Sequence, residues 1–397
     1  YTFSRPDIPL LDLSVKVYNN RTKLEQTRLT PSYFGPSIGE QVGAQRKFDV
    51  ETTGFDVFNT SRFDFGSTKL AVTYGGDAFE DRVSNSDPTG GGDELTPNGR
   101  RTVAGAFIQN KATFFDTIDI IAALRYDQYE LKGNGHHSDG ERVSPKITAG
   151  VTPLKGVTLF ATYAEGYRAP AITETLMDGL HPAPAEFELV PNPDLKPEVA
   201  HNWEGGLNLK FDGLASPRDS FRAKLVVFRN EVDDYIDMVG LDKDDPDHPC
   251  TPGMFGCLPA NKYVNVPHAT IKGIEFEAVY DARAWFLGVG AHRIRGENDD
   301  TGEPLVTIPA DQITLTAGFR AFNEKLVAGA RARFVAAQDR VPLDEDGDPI
   351  VSPSAGYTVV DLFGEYALNE NTVINLNIDN LFDKEYRQYR DAEKSPG

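Results

Sequence analysis

The sequence predicts an all-β fold, a transmembrane antiparallel β-barrel, from three observations. Apolar and polar residues alternate with a period of two along many segments, as on strands with one wet and one apolar face. Most of these segments run about 9 to 14 residues, longer than the ~5–6 usual in soluble sheets and matched to a tilted strand that crosses a bilayer. The connections alternate short and long, the pattern of a barrel with tight turns on one side of a membrane and large loops on the other. A closed barrel is also the one sheet that satisfies its own backbone in lipid.

Fifteen strands are predicted in chain order, near residues 11–19, 47–59, 68–77, 103–115, 118–131, 145–152, 156–166, 199–211, 219–236, 262–282 (with a bend near Pro267), 284–296, 311–322, 324–336, 357–368 and 371–379. The alternation is clearest in the last, where Ile374, Leu376 and Ile378 interleave with Val373, Asn375, Asn377 and Asp379. In 118–131, Ile118, Ile120, Ala122, Leu124 and Tyr126 oppose Asp119, Arg125 and Asp127. Ile274, Phe276, Ala278 and Tyr280 oppose Glu275, Glu277 and Asp281, and the Leu326 to Phe334 series opposes Arg331 and Arg333. The apolar set is assigned to lipid and the charged set to a wet lumen. Short turns are expected at 115–117, 152–156, 211–219, 281–284, 322–325 and 368–371. Long loops are expected at 18–45, 75–102, 132–144, 167–198, 237–261, 296–310 and 336–356.

Composition narrows the functional classes. The 397 residues carry a net charge of -20, with a pI near 4.8. That leaves no basic field for phosphates, so nucleic acid is excluded as a partner. The acid concentrates in loops, at 242–249, 297–303 and 344–349. No apolar run approaches the ~18 residues of a spanning helix. Nucleophile elbows, phosphate-cradling glycine loops and zinc-protease helices are missing, so no enzyme is indicated. Gly90 to Gly92 reads as a loop. The series Asp344, Asp346 and Asp348, with Gly347, is too short for a calcium loop and reads as solvated acid. The two cysteines, Cys250 and Cys257, bracket Pro252 and Gly253 and predict a disulfide in an oxidising compartment. Zinc would need further ligands, of which His248 is the one nearby.

Asn380-Leu381-Phe382-Asp383-Lys384-Glu385-Tyr386 resembles the NLFDKxY signature of TonB-dependent outer-membrane receptors, which precedes the last strand in that family. The resemblance covers the whole chain. It implies part of a 22-stranded barrel with a plugged lumen, in a Gram-negative outer membrane and embedded in its lipid. It also implies energy delivered by the TonB-ExbB-ExbD complex through an N-terminal segment. The chain begins at Tyr1 without a start signal and stops at Gly397. Residues 1–397 are therefore expected to be one partial barrel domain, with the plug, the first strands and the closing strand lying outside it.

Within that family, Tyr167-Arg168-Ala169-Pro170 and Asn192-Pro193-Asp194-Leu195 look like the FRAP and NPNL boxes that bracket an extracellular loop of haem receptors, with Tyr in place of Phe and Asp in place of Asn. Residues 172–176 are similar to receptors of the haemophore and haemoglobin type. His181 fills the position of the loop histidine that ligates haem iron. The resemblance thus implies haem as transported ligand, free or from a carrier such as a haemophore or haemoglobin. It implies His181 as axial ligand, Arg168 against a propionate and Tyr167 in the same site, with a second ligand from the plug. A neutral imidazole is needed, so acid should weaken binding. Phe187, Met254 and Phe255 would add apolar contact to a porphyrin face. The competing readings are a solvent-exposed His181, an Arg168 paired within the loop base, and a ferric-siderophore receptor on the same barrel, which needs no histidine. His136 and His137 read as a solvated turn pair, His201 and His268 as structural, and His292 as a lumen-facing accessory.

Overall fold

The computed structural model describes residues 1–5, 7–29, 42–86, 97–181, 187–250, 257–343, 347–391 and 394–395. Among these residues the chain forms eighteen strands and one short helix. Strand β1 (Thr2–Ser4) lies against β2 (Asp12–Thr27). A meander then runs through β3 (Gln45–Asp64), β4 (Thr68–Ser86), β5 (Gly99–Phe114), β6 (Ile118–Gly133), β7 (His136–Leu154) and β8 (Val157–Arg168), each antiparallel to the next. The following connection carries helix α1 (Ile172–Leu176) and two short strands, β9 (Gly179–Leu180) and β10 (Glu188–Val190). β11 (Glu198–Asp212) returns to pair with β8. The meander continues through β12 (Ser220–Leu241), β13 (Ala260–Asp281), β14 (Trp285–Asn298), β15 (Gln312–Ala321), β16 (Leu326–Val335), β17 (Tyr357–Asn369) and β18 (Thr372–Ile378). All fifteen predicted strands are present, in an antiparallel barrel wall.

The two faces follow the alternation. Leu124, Tyr126, Ile147, Leu159, Ile274, Leu287, Ile313, Leu315, Phe319 and Phe334 are exposed on the outer face. The inner face carries ion pairs that cross strands. Arg125 on β6 reaches over β5 to Asp77 on β4, at 2.8 and 3.1 Å, and also holds Asp127 at 2.7 Å. Gly105, the β5 residue in between, leaves the space this needs: a Cβ there would overlap the guanidinium and the Asp127 carboxylate.

On the long-loop side the strands run beyond the predicted ends. β2 continues to Thr27, β4 to Ser86, and β5 begins at Gly99, so the loops expected at 18–45 and 75–102 are shorter than read. The loop expected at 132–144 is a hairpin, with β6 and β7 joined by Asn134 and Gly135 alone. Both adopt positive φ, 50° and 81°, the two-residue geometry that Asn-Gly favours because it matches strand twist. Above the bilayer both faces of a strand are wet, so the polar run at 136–142 hid the alternation. The bend expected near Pro267 falls on the partner strand instead. Asp234, flanked by the pairs Asp233–His268 and Tyr235–Val266, takes φ 53°. Proline has no N–H to offer across the ladder, and the Asn265 side chain donates to the Asp234 carbonyl at 2.8 Å.

Buried packing gathers at the same end, inside the wall. Ala169, Ile172 and Leu176 pack with Val83, Tyr129 and Leu131. Leu305 and Ile308 pack with Ala269, against Tyr235, Ile271 and Ile294. Burial of this kind contributes roughly 1.5–3 kcal/mol per large apolar side chain, which is what holds loop segments onto an otherwise polar lumen wall.

Candidate functional site: an anchored loop with a histidine hairpin

Two short motifs fasten the connection between β8 and β11 to opposite stretches of wall. At the first, Pro170 is fully buried and Arg101 on β5 donates to its carbonyl at 3.2 Å. α1 follows at once. Glu174 accepts from the Ala171 N–H at 2.8 Å, so its carboxylate answers one of the open donors at the helix start. The apolar side of α1 then presses Ile172 and Leu176 onto β4 and β6. At the second motif Leu195 is buried, and Asn192 donates two bonds to other segments. Its N–H donates to the Thr175 carbonyl at 2.9 Å, and its side chain donates to the Tyr263 carbonyl on β13 at 2.8 Å. Lys196 and Asn265 close the junction reciprocally, with the Lys196 N–H donating to Asn265 Oδ1 at 2.8 Å and Asn265 Nδ2 donating back to the Lys196 carbonyl at 3.0 Å.

Arg168 ties the two ends together. Its Nε and Nη2 donate to Glu198 at 2.5 and 2.8 Å, and its Nη1 donates to both oxygens of Glu174 at 2.9 Å. Glu198 in turn accepts from the Ile236 N–H of β12 at 2.8 Å. A guanidinium met by two carboxylates is a structural clamp rather than an open anion site. Tyr167 likewise packs, half-buried, against the Tyr129 cluster, with ring centroids 6.4 Å apart. Tyr167 and Arg168, expected beside a haem, are placed here at the loop base, Arg168 in the pairing that was its competing reading. Both residues are engaged at the loop base, because β8 and β11 register Arg168 directly opposite Glu198.

His181 sits elsewhere, on the hairpin made by β9 and β10. Its N–H donates to the Phe187 carbonyl at 2.8 Å. Its ring stacks on Phe187 with centroids 4.5 Å apart and planes 8° apart. Phe187, expected against a porphyrin, serves here to orient the imidazole. β10 runs parallel to the start of β13, registering Glu188, Leu189 and Val190 with Ala260, Asn261 and Lys262. The Glu188 N–H donates to the Pro259 carbonyl at 2.8 Å. Burial, with Asp178 nearby, pushes the Glu188 carboxyl above its ordinary range, while His248 opposes the shift. Next to this junction Cys250 and Cys257 form a disulfide, with Cα atoms 5.9 Å apart. The Cys250 N–H donates to Nδ1 of buried His248 at 3.1 Å.

The remaining histidines serve the wall. His201 lies between Tyr163 (3.2 Å) and Asp233 (3.3 Å), and His292 bonds the Ala310 carbonyl at 3.2 Å. His137 meets Glu130 at 3.3 Å on the β6–β7 hairpin. Arg333 faces Asp361 at 3.8 Å. Met254, Phe255, Asp344, Asp346 and Gly90 to Gly92 lie outside the described residues. Among the described residues no three His, Cys, Asp or Glu side chains converge as a metal site. His181 offers one imidazole, which is what a single axial position takes. The anchoring roles of Glu174, Asn192, Glu198 and Asn265 were not read from the sequence. Glu174 stands three residues past Ala171, which has no side-chain acceptor to complete a capping box, so the usual signal was lacking; the others depend on strand register.

A family model described as the TonB-dependent receptor-like β-barrel matches residues 1–381. A heme/hemopexin utilization protein C of Haemophilus influenzae is 29% identical over 96% of the chain and 53% of its own length. A hemin receptor of Yersinia enterocolitica is 29% identical over 79% of the chain and 46% of its own length. The chain therefore spans about half the length of these relatives. Among solved structures, a double mutant of the Serratia marcescens hemophore receptor HasR, in complex with its hemophore HasA and heme, aligns with a TM-score of 0.78. The alignment is at 23% identity over 98% of the chain and 62% of the receptor.

Proposed function

The chain belongs to the TonB-dependent receptor β-barrel family, and from that premise we propose that it is an outer-membrane transport receptor for haem, with His181 as one axial ligand to the iron. The observation that carries this reading is the His181 hairpin. One imidazole is stacked flat on Phe187 between two motifs that are each bolted to the barrel wall. Pre-positioning a ligand lowers the entropy lost when it binds. The names of the relatives, a heme/hemopexin utilization protein and a hemin receptor, support haem over a ferric siderophore.

On this reading the charged clamp at Arg168 keeps the loop base closed while the hairpin offers Nδ1 or Nε2 to an iron that arrives with its porphyrin. Haem comes free or from a carrier protein. Its passage is driven through TonB and the ExbB-ExbD proteins, and the barrel performs no covalent chemistry on it. The test is an absorbance titration with haemin of the receptor and its His181→Ala variant. The variant should lose at least about tenfold in affinity, roughly 1.4 kcal/mol, and its Soret band should differ from that of the parent. Identical affinity and spectrum would remove His181 from the iron and leave the siderophore reading in its place.

A further inference from the structure

We infer that the stretch from Leu258 to Lys262, which leads into β13 directly after the Cys250–Cys257 disulfide, is the seat on which the His181 hairpin is held, so that Cys250 and Cys257 are positioning residues for the imidazole. This rests on the haem reading above for its consequence, but not for its geometry. β9 and β10 pair over only two registers, Glu188–Leu180 and Leu189–Gly179. So short a hairpin has no independent stability in water. What completes it is a third strand. β10 lies parallel on Ala260, Asn261 and Lys262, with the Glu188 N–H on the Pro259 carbonyl. Parallel pairing between segments so far apart in sequence must be imposed by tertiary structure, because no tight turn can make it.

The seat itself is built to hold still. Leu258 and Ala260 are buried, as is Leu189 on the hairpin side. Cys257 lies immediately before Leu258, and its disulfide to Cys250 closes the loop that enters β13. At the other cysteine, His248 is buried and accepts the Cys250 N–H, and Lys262 Nζ meets Asp247 at 2.7 Å. The cross-link thus ties the residue before Leu258 to the Cys250 side of the junction, at the point where the chain goes on to present Pro259 and Ala260 to β10. Disulfides of this kind persist in the oxidising space where an outer-membrane protein folds.

Two readouts on the whole receptor test this. The first is hydrogen exchange of the 187–192 peptide in the parent and in the Cys250→Ser/Cys257→Ser variant. Exchange there should rise at least about tenfold, while the β6 and β16 peptides stay as in the parent. Unchanged exchange at 187–192 overturns the proposal. The second is haemin titration of the same variant, which should weaken severalfold without loss of the ligand itself. Adding Glu188→Cys and Ala260→Cys, which join the facing strands directly, should restore the affinity; a barrel that merely melts would not be rescued. If His181→Ala leaves haemin binding untouched, the haem assignment fails while the exchange result still decides whether the seat exists.

Discussion

At the scale of single residues, two glycines on the inner face separate packing from propensity. Both sit in strands, where glycine costs about 0.5–1 kcal/mol in chain entropy. A Cβ on Gly290 would meet nothing within 4 Å, whereas one on Gly105 would press on Arg125 and Asp127. The Arg125 guanidinium cannot swing aside cheaply, because Asp77 and Asp127 hold it from two strands. Gly290→Val should therefore leave stability unchanged or raise it slightly. Gly105→Val should cost about 1–3 kcal/mol, the range for forcing an extra side chain into a filled site. Urea unfolding of both variants in the same detergent checks the sign. Equal midpoints would mean that the Arg125 bridge is too mobile to resist.

At the scale of elements, the hairpin carries a pH dependence that can be signed. Burial beside β13 raises the Glu188 carboxyl above its ordinary range, and Asp178 adds to the effect. A carboxyl with a raised pKa binds its proton more tightly in the docked state than in the free one. Docking is therefore favoured below the ordinary carboxylate range and loses stability as pH climbs from there through the raised value. Glu188→Gln removes that loss, so exchange at 187–192 should slow in the variant at neutral pH and match the parent in acid. Faster exchange at neutral pH would show that the carboxylate is stabilising instead. The long strands were legible in the sequence because one face meets lipid and the other water, which forces a period of two. The Asn134-Gly135 hairpin was missed, since beyond the bilayer both faces are wet and the period fades. His181 could be singled out by its place between two boxes. A pairing of Arg168 within the loop base was one of the readings the sequence left open, but its partner Glu198 could not be singled out, because it turns on the registration of β8 with β11.

At the scale of the molecule, the sheet has to match a bilayer, and the two tryptophans of the chain report on whether it does. Trp203 and Trp285 both point outward, 57% and 44% exposed. Each is paired with a tyrosine, Trp203 with Tyr163 at 4.5 Å and Trp285 with Tyr280 at 5.3 Å. Trp285 opens β14 beside a short turn, and Trp203 lies nine residues along β11 from the short-turn end at Asp212. Nine residues at ~3.3 Å on a strand tilted ~40° rise about 23 Å, close to the ~25 Å apolar band between the aromatic girdles of outer-membrane barrels. Indole rings settle at such interfaces because one edge can stay wet while the ring is buried. In vesicles of brominated lipids, fluorescence should therefore be quenched most by bromines near the headgroups and least by bromines at mid-chain. The Trp203→Phe and Trp285→Phe variants should each retain that depth profile, since each leaves one girdle reporting. A maximum at mid-chain for either single-tryptophan protein would mean that the apolar belt is offset from the bilayer by several residues. The hairpin bearing His181 would then stand at a different height above the membrane than this sheet implies.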